Sequence, residues 1–234
     1  MDILKRKIKN SLFIFLFQIK HYLLEAYKAL HPEDTTVTEN DIQILTLDAV
    51  LATNGIYNNL AFLVRQNRLI VMKSQSVWSK NIIYRLWHDG LDTLLEYQLS
   101  EQTDLYGSKP LKLPNLEFYV LYTGYEKVPD KLSLSELCME ERSGLDICAS
   151  VISQEEDNVI GEYIRLCHIL DEQRKKFGST SNAIQTALKI CKEENVLMQY
   201  LQGKEEEVRS ILLKLWDEEK ALKIDSKAVE RAQH

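Results

Sequence analysis

The sequence has little glycine, proline or cysteine. Its 234 residues include 8 Gly and 4 Pro, which is too few for a collagen-like or low-complexity chain. The 4 cysteines, at positions 138, 148, 167 and 191, form no C-x-x-C pair, so a zinc site is not expected. Scattered thiols suit a reducing cytosol, and the sequence therefore predicts a cytoplasmic protein.

The chain also lacks an excess of basic residues. Its formal net charge is −6, which argues against a wholly cationic nucleic-acid coat protein. The charge is uneven, because residues 1–90 contain 11 Lys or Arg against 8 Asp or Glu, whereas the rest of the chain is acidic. Residues 1–90 are therefore the part favoured for contact with an anionic partner.

No long apolar run is present. The run Leu-Phe-Ile-Phe-Leu-Phe at 12–17 follows a basic stretch, but it is far shorter than the roughly 18 residues needed to span a membrane. A signal peptide would be followed by a small-residue cleavage site, whereas this chain continues with Gln18, Ile19 and Lys20. We expect a buried N-terminal helix and no membrane partner.

Common catalytic and nucleotide-binding motifs are missing as well. The sequence contains no P-loop, no G-x-G-x-x-G, no H-E-x-x-H and no G-x-S-x-G. His21 and Glu25 have i, i+4 spacing on the predicted first helix, which can bring two ligands together, but a locally paired or solvated helix face is the simpler interpretation. Spacing alone reveals no active site.

Hydrophobic periodicity predicts an α/β protein with a mixed β-sheet core and a helical C-terminal extension. The predicted strands cover 42–47, 117–122 and 145–152, in addition to a hairpin. The predicted helices cover 11–30, 78–103, 157–176, 180–193, 195–202 and 204–223. We therefore expect a core domain at 1–153 and a helical region at 154–234.

The hairpin is predicted within residues 60–75, where two apolar runs flank a short polar tip. Both runs are apolar on both faces, so this hairpin should lie at the centre of the sheet with cover on each side. A two-residue loop would place Asn59 opposite Ser74, whereas a three-residue loop at 65–67 would place it opposite Lys73. The longer loop is preferred, because such loops need a left-handed residue at their end and Asn67 tolerates that conformation.

Eight short phrases along nearly the whole chain resemble the PD-(D/E)XK nuclease family transposases, also called recombination-promoting nucleases, of bacterial mobile elements. The phrases are Asn10-Ser-Leu-Phe13, Ala29-Leu-His-Pro-Glu-Asp34, Tyr57-Asn-Asn-Leu-Ala-Phe-Leu-Val64, Ser74-Gln-Ser-Val-Trp-Ser-Lys-Asn81, Leu105-Tyr-Gly-Ser-Lys109, Glu117-Phe-Tyr-Val-Leu-Tyr-Thr-Gly124, Leu132-Ser-Leu-Ser-Glu-Leu137 and Asn195-Val-Leu-Met-Gln-Tyr-Leu201. Each is weak alone, but their common order makes the resemblance strong.

The resemblance implies a restriction-endonuclease-like fold that cleaves DNA with Mg²⁺. In the family, a metal-binding Asp lies at the start of the first hairpin strand, and a Glu-x-Gln or Glu-x-Lys follows on the second strand. Carboxylates hold the hard cation that activates water and stabilises the leaving phosphate. The Gln or Lys shares the strand face of the Glu and can orient the nucleophile.

This chain departs from that pattern at the metal-binding positions. Asn59 replaces the Asp and Lys73 replaces the Glu, while Gln75 is retained. Lys in place of Glu turns an attraction into a repulsion, at roughly 4 kcal/mol per pair of unit charges about 4 Å apart. Three further positions also differ, namely Phe15 at an acidic position and Asp89 and Leu94 at positions that are commonly Tyr.

We therefore expect an impaired endonuclease that holds no metal in this copy. The candidate site residues are Asn59, Lys73 and Gln75, with Glu25 as a weaker candidate. An active enzyme would need other acids in the site, such as Glu25, Asp41 or Asp48. The alternatives are a non-enzymatic DNA-binding or regulatory relic, with Lys73 contacting a phosphate, and a helical interaction protein. DNA is the partner that the resemblance implies, and the sequence leaves the oligomeric state open.

Overall fold

The computed structural model describes residues 12–45, 59–139, 144 and 146–213. Within these residues a six-stranded mixed β-sheet is flanked by helices, which confirms the predicted α/β class. The strands are β1 (Ile42–Ile44), β2 (Asn59–Val64), β3 (Arg68–Gln75), β4 (Asn115–Tyr122), β5 (Lys131–Ser133) and β6 (Cys148–Ile152). The helices are α1 (Lys20–Leu30), α2 (Ile82–Ser100), α3 (Val159–Phe177), α4 (Ser181–Glu193) and α5 (Met198–Leu201). Residues 12–17 and 205–213 are also helical.

The strand order is β1-β2-β3-β4-β6-β5. Strands β1 to β3 form an antiparallel meander, and α2 then connects β3 to the parallel strand β4. Strand β6 is parallel to β4, and β5 is antiparallel to β6 at the edge. β3 and β4 are therefore central, and their carboxyl ends lie side by side.

The hairpin has the predicted three-residue loop. Val64 pairs with Arg68 and Asn59 pairs with Lys73, which confirms the preferred register. The reason given for that register was wrong, because the left-handed residues are Arg65 (φ 49°) and Gln66 (φ 60°) rather than Asn67.

Both faces of the hairpin are covered, as predicted. On β3, Ile70 and Met72 belong to one apolar cluster, whereas Leu69 and Val71 belong to another. The first cluster contains the buried faces of α1, α3 and α4, and the second contains that of α2. The sheet therefore separates two apolar layers, and α2 lies alone among the long helices on its side of the described structure.

Several predicted elements have different ends. The N-terminal helix is interrupted, because Ile19 has an extended backbone that separates 12–17 from α1. Its apolar residues are nevertheless buried, as expected; Phe13 and Phe17 are fully buried. The first predicted strand is shorter, since β1 ends at Ile44, and residues 46 and 47 lie outside the described residues. Strand β5 was not predicted, because three residues are too few to show an alternating pattern.

The C-terminal helices share the core of the sheet. Tyr163 of α3 packs on Phe13 and Phe17 with ring centroids 5.8 and 5.9 Å away, and its hydroxyl hydrogen-bonds to the Ser74 hydroxyl at 2.7 Å. Helix α3 begins at Asn158, whose side chain accepts from two backbone N–H groups. The domain boundary after residue 153 stays a prediction, but the helices beyond it complete one face of the sheet.

The last predicted helices are shorter or only partly described. The helix predicted over 195–202 is reduced to α5, because Asn195 and Leu197 have left-handed backbone conformations. Of the helix predicted over 204–223, residues 205–213 are helical, and the part after 213 lies outside the described residues. No helix in the described ranges combines the length and the apolar character that crossing a membrane requires.

Candidate functional site

Lys73 and Gln75 lie in the last part of β3 and are almost fully buried, each with 7% of its surface exposed. They are two residues apart on one strand, so their side chains lie on the same face of the sheet. That face is covered by α2, which contacts both side chains. The structure therefore brings together two of the three motif positions.

The Lys73 ammonium forms a close ion pair with the carboxylate of Asp89 on α2. The two side chains are 9% and 21% exposed. Burial lowers the pKa of Lys73 below its ordinary value, although the hydrogen bond to Asp89 and its negative charge favour the ammonium. The position at which the resemblance implies a metal-binding Glu thus holds a cation of the protein itself.

Both ends of the Gln75 amide are engaged. Its oxygen accepts a hydrogen bond from the Arg85 guanidinium at 2.9 Å, and its nitrogen is 3.4 Å from the carbonyl oxygen of Ser79, to which it donates. In this arrangement Gln75 connects β3 to the start of α2. Its amide is therefore used to hold the helix against the strand.

Helix α2 supplies both partners because Arg85 and Asp89 are four residues apart and lie on the same helix face. Gly90 allows the helix to approach the sheet closely, since a Cβ atom there would lie 2.7 Å from the ring of Phe118 on β4. Gly90 thus allows the carboxylate of Asp89 to come within reach of the Lys73 ammonium. The sequence showed Asp89 only as a departure from the family pattern, without this role.

Asn59 is the first residue of β2 and lies directly opposite Lys73 in the β2–β3 pairing. The predicted register of Asn59 with Lys73 is therefore confirmed at the level of the backbone. The motif positions predict side chains that converge on a cleft, but the described groove nearest to them does not include Lys73 or Gln75. This groove, of about 610 Å³, opens beside α2 and is lined by Tyr84, Arg85 and Trp87 together with residues of the 134–138 segment.

The other acids proposed for the site lie elsewhere. Glu25 is on α1, which packs on the opposite face of the sheet, and its neighbour in the structure is His21, 3.4 Å away. Asp41 is 3.6 Å from Arg65 at the hairpin tip, and Asp48 lies outside the described residues. The structure therefore does not bring Glu25 or Asp41 to Lys73.

The remaining departures from the family pattern are packed side chains. Phe15 lies against Tyr200, with ring centroids 6.0 Å apart, and Leu94 is buried on the inner face of α2. Neither side chain contributes a polar group to the Lys73 site.

A second polar cluster surrounds His31, which the sequence patterns did not single out. The His31 ring lies 2.8 Å from both Arg68 and Glu117, and Arg68 also pairs with Glu117 at 3.1 Å. Tyr119 donates to Glu117, and burial raises the Tyr119 pKa above its ordinary value. The phrase Ala29–Asp34 was the available signal, but its partners on β3 and β4 are distant in sequence. Because these charges compensate one another, the cluster is best explained as a structural link between α1 and the sheet.

The residues around Lys73 do not fit the Mg²⁺ ion that the resemblance implies. In the described part of the chain, no three His, Cys, Asp or Glu side chains are grouped closely enough to hold a metal ion. The only carboxylate that contacts Lys73 there is neutralised by the ammonium. A hard divalent cation needs charged oxygen ligands, and here the one carboxylate is already paired with an ammonium. No protein-family model, curated protein or solved structure matches this chain.

Proposed function

We propose that this chain is a non-cleaving protein of the restriction-endonuclease-like fold, related to mobile-element nucleases, in which an internal ion pair replaces the metal centre. The proposal is supported by the hairpin register, in which Asn59 pairs with Lys73 and Gln75 follows two residues later on the same strand face, as the resemblance implies for the motif. It is also supported by the eight sequence phrases. The meander of β1 to β3 followed by α2 and a parallel β4 is compatible with this fold.

The ion pair of Lys73 with Asp89 is the observation that carries the proposal. A Glu at this position would attract a divalent ion by roughly 8 kcal/mol at about 4 Å and an effective dielectric constant of about 20, whereas the neutral pair of Lys73 with Asp89 offers no such attraction. Asp89 holds this ammonium in place from α2. The arrangement retains a buried cation next to a carboxylate, but the cation cannot activate water or stabilise a leaving phosphate as a metal ion does.

The test is a melting scan of the wild type and of the double variant Asn59→Asp with Lys73→Glu, with and without Mg²⁺ or Mn²⁺. In the double variant the new carboxylates at positions 59 and 73 join that of Asp89, so metal binding should raise the melting temperature, by about 3 °C for each kcal/mol of binding free energy. The wild type should show no shift, and neither should the control Lys112→Glu, which makes the same Lys-to-Glu change in an exposed loop. A wild-type shift equal to that of the double variant would refute the proposal.

A second candidate function, metal-independent DNA binding, is favoured by the groove beside α2. Tyr84 lines this groove and is 52% exposed. Its ring packs edge-on against the Trp87 ring, with centroids 6.1 Å apart. Arg85 and Asn81 also line the groove. Aromatic rings next to a guanidinium are typical of sites on which bases of single-stranded nucleic acid stack. Lys73 is a poor phosphate ligand in comparison, because Asp89 already neutralises it.

Fluorescence anisotropy with labelled single- and double-stranded oligonucleotides tests this second function. We expect binding that weakens with salt, is unaffected by EDTA, and is reduced about fivefold or more by Tyr84→Ala, since stacking on one ring contributes about 1–3 kcal/mol. Tyr106→Ala is the control, because that ring is 99% exposed and lies in a separate loop. Absence of binding at low salt would exclude DNA as a partner and favour the helical interaction protein.

A further inference from the structure

Helix α2 has an apolar stripe on the side that faces away from the sheet. Tyr84, Leu91, Leu95 and Leu99 are 52%, 42%, 46% and 58% exposed, so no part of the described structure covers them. Their spacing along the sequence places them on one side of a helix that turns every 3.6 residues. A contiguous exposed apolar surface of this kind marks an interaction site in a soluble protein. The proposed nuclease-fold function does not use it.

The polar residues next to the stripe divide α2 into two unlike halves. The first half presents the N–H donors of Arg85 and His88, and its one carboxylate is already neutralised by Lys73. The second half presents the exposed carboxylates of Asp92 and Glu96. The helix dipole adds to this difference, because it is positive at the start of α2 and negative at its end. A partner that matches the stripe therefore has acidic groups near the start of α2 and donor groups near its end.

We propose that this partner is α2 of a second copy of the chain, packed antiparallel about a twofold axis next to Leu91. In such a pair Tyr84 of one copy lies opposite Leu99 of the other, so a large ring meets a smaller side chain at each end. The same arrangement sets Arg85 beside Glu96 of the second copy. A twofold interface needs one surface that complements itself, and α2 meets this condition only when the helices are antiparallel. A parallel pair would place carboxylates against carboxylates.

The groove beside the start of α2 extends this surface. Tyr84 is at its edge, and the 134–138 segment adds apolar side chains to its wall, so Leu99 of the second copy meets apolar surface there. A nucleic acid fits the whole stripe less well, because the carboxylates of Asp92 and Glu96 would repel its phosphates. A second copy and an oligonucleotide would compete for Tyr84, which both use.

The expected dimer is weak. The 19 residues of α2 span about 28 Å, and a single helix pair of this length covers less than the roughly 800 Å² per partner of a standard interface. We therefore expect a reversible dimer with a dissociation constant of about 10 μM, at the weak end for specific interfaces. This proposal does not depend on the nuclease-fold function, because the stripe contains no motif position.

The experiment is sedimentation velocity of the full chain over a range of concentrations, from about 1 μM to about 100 μM, which spans the expected dissociation constant. We expect the mass of one chain at the low end and of two chains at the high end. Leu95→Glu puts a charge in the middle of the stripe and should weaken the dimer at least tenfold. Leu113→Glu is the matched control, because Leu113 is 54% exposed in a loop outside α2, and it should dimerise as the wild type does.

Crosslinking with a short bis-maleimide tests the orientation, in a background where the exposed Cys138 and Cys148 are replaced by Ser. Leu91→Cys lies next to the twofold axis and should give a covalent dimer. Leu99→Cys should not, because in an antiparallel pair the two copies of this residue are about 22 Å apart along the helix axis. Equal crosslinking of both variants would indicate a parallel pair and overturn the proposal.

Circular dichroism checks that each variant is folded, and Leu99→Glu replaces Leu95→Glu in the test if the latter does not fold. A wild-type chain that stays monomeric at the highest concentration overturns the proposal, and so does a glutamate variant of the stripe that dimerises as strongly as the wild type. A monomeric wild type whose binding of single-stranded oligonucleotide is weakened by Leu95→Glu would assign the stripe to nucleic acid instead.

Discussion

The buried ammonium of Lys73 has one ion-pair partner among the described residues, the carboxylate of Asp89. We expect Asp89→Ala to destabilise the fold by about 3 kcal/mol, because it leaves a charge buried and unpaired. The double variant Lys73→Met with Asp89→Leu should recover most of this loss, since an apolar pair of similar volume needs no desolvation of charge. Urea unfolding of the single and double variants measures both effects.

The matched control is Lys80→Met, which removes a more exposed ammonium from its pair with Glu136. Exposed pairs contribute about 1 kcal/mol or less, so this variant should unfold nearly as the wild type does. Equal losses in Asp89→Ala and Lys80→Met would show that the Lys73 pair has no special structural role.

The depressed pKa of Lys73 gives a second expectation. Burial is its main cause, and the ordinary value is 10.5. Between the folded pKa and 10.5 the unfolded chain binds more protons than the folded chain, so the unfolding free energy must rise with pH in that interval. The unfolding free energy of the wild type minus that of Lys73→Met should therefore increase as the pH is raised from about 8 towards 10.5. A difference that falls over this range contradicts the buried ammonium.

Individual contacts were the least predictable part of the site. The sequence indicated that Lys73 and Gln75 share one strand face, because strand alternation fixes that relation. It did not indicate Asp89 or Arg85 as their partners, because those contacts depend on how α2 lies across the sheet. The close approach at Gly90 decides this position, and it arises from packing between elements distant in sequence.

The β2–β3 hairpin could be predicted as an element, including its register, but the conformation of its loop could not. Arg65 and Gln66 are left-handed, with φ of 49° and 60°. Gln66→Gly should therefore stabilise the fold by about 0.5–1 kcal/mol, because a side chain in this conformation costs about 1–2 kcal/mol and the greater freedom of Gly in the unfolded chain offsets part of the gain. Asn67→Gly is the control and should destabilise slightly. Urea unfolding that ranks the two variants in the opposite order would contradict the loop geometry.

Long elements were predicted better than short ones for a physical reason. Helices α2 and α3 each have 19 residues and show a clear apolar period. Strand β5 has three residues and α5 has four, so their conformations depend on neighbours rather than on a local pattern. The left-handed Leu197 before α5 illustrates this, because its backbone N–H is held by Glu162, 35 residues earlier in the chain.

At the scale of the whole molecule, the sheet separates two groups of polar residues with different roles. The side covered by α2 contains the motif positions Lys73 and Gln75 and is neutralised by internal contacts. The opposite side contains a pocket lined by Glu25 and Glu162. The sequence predicted the α/β class and the central hairpin, whereas this pocket depends on α1, α3 and the 195–200 segment meeting in space. No local pattern could reveal it.

The central claim is that the ion pair of Lys73 with Asp89 takes the place of a catalytic metal, and a plasmid-nicking assay of the wild-type chain tests it most directly. Supercoiled plasmid is incubated with the purified protein in Mg²⁺, in Mn²⁺ and in EDTA, and the nicked fraction is measured on a gel. We predict the same nicked fraction in all three conditions. Robust nicking that requires Mg²⁺ or Mn²⁺ and disappears in EDTA would contradict the claim, and it would make Asp41, Asp48 and Glu25 the first residues to substitute in search of the true site.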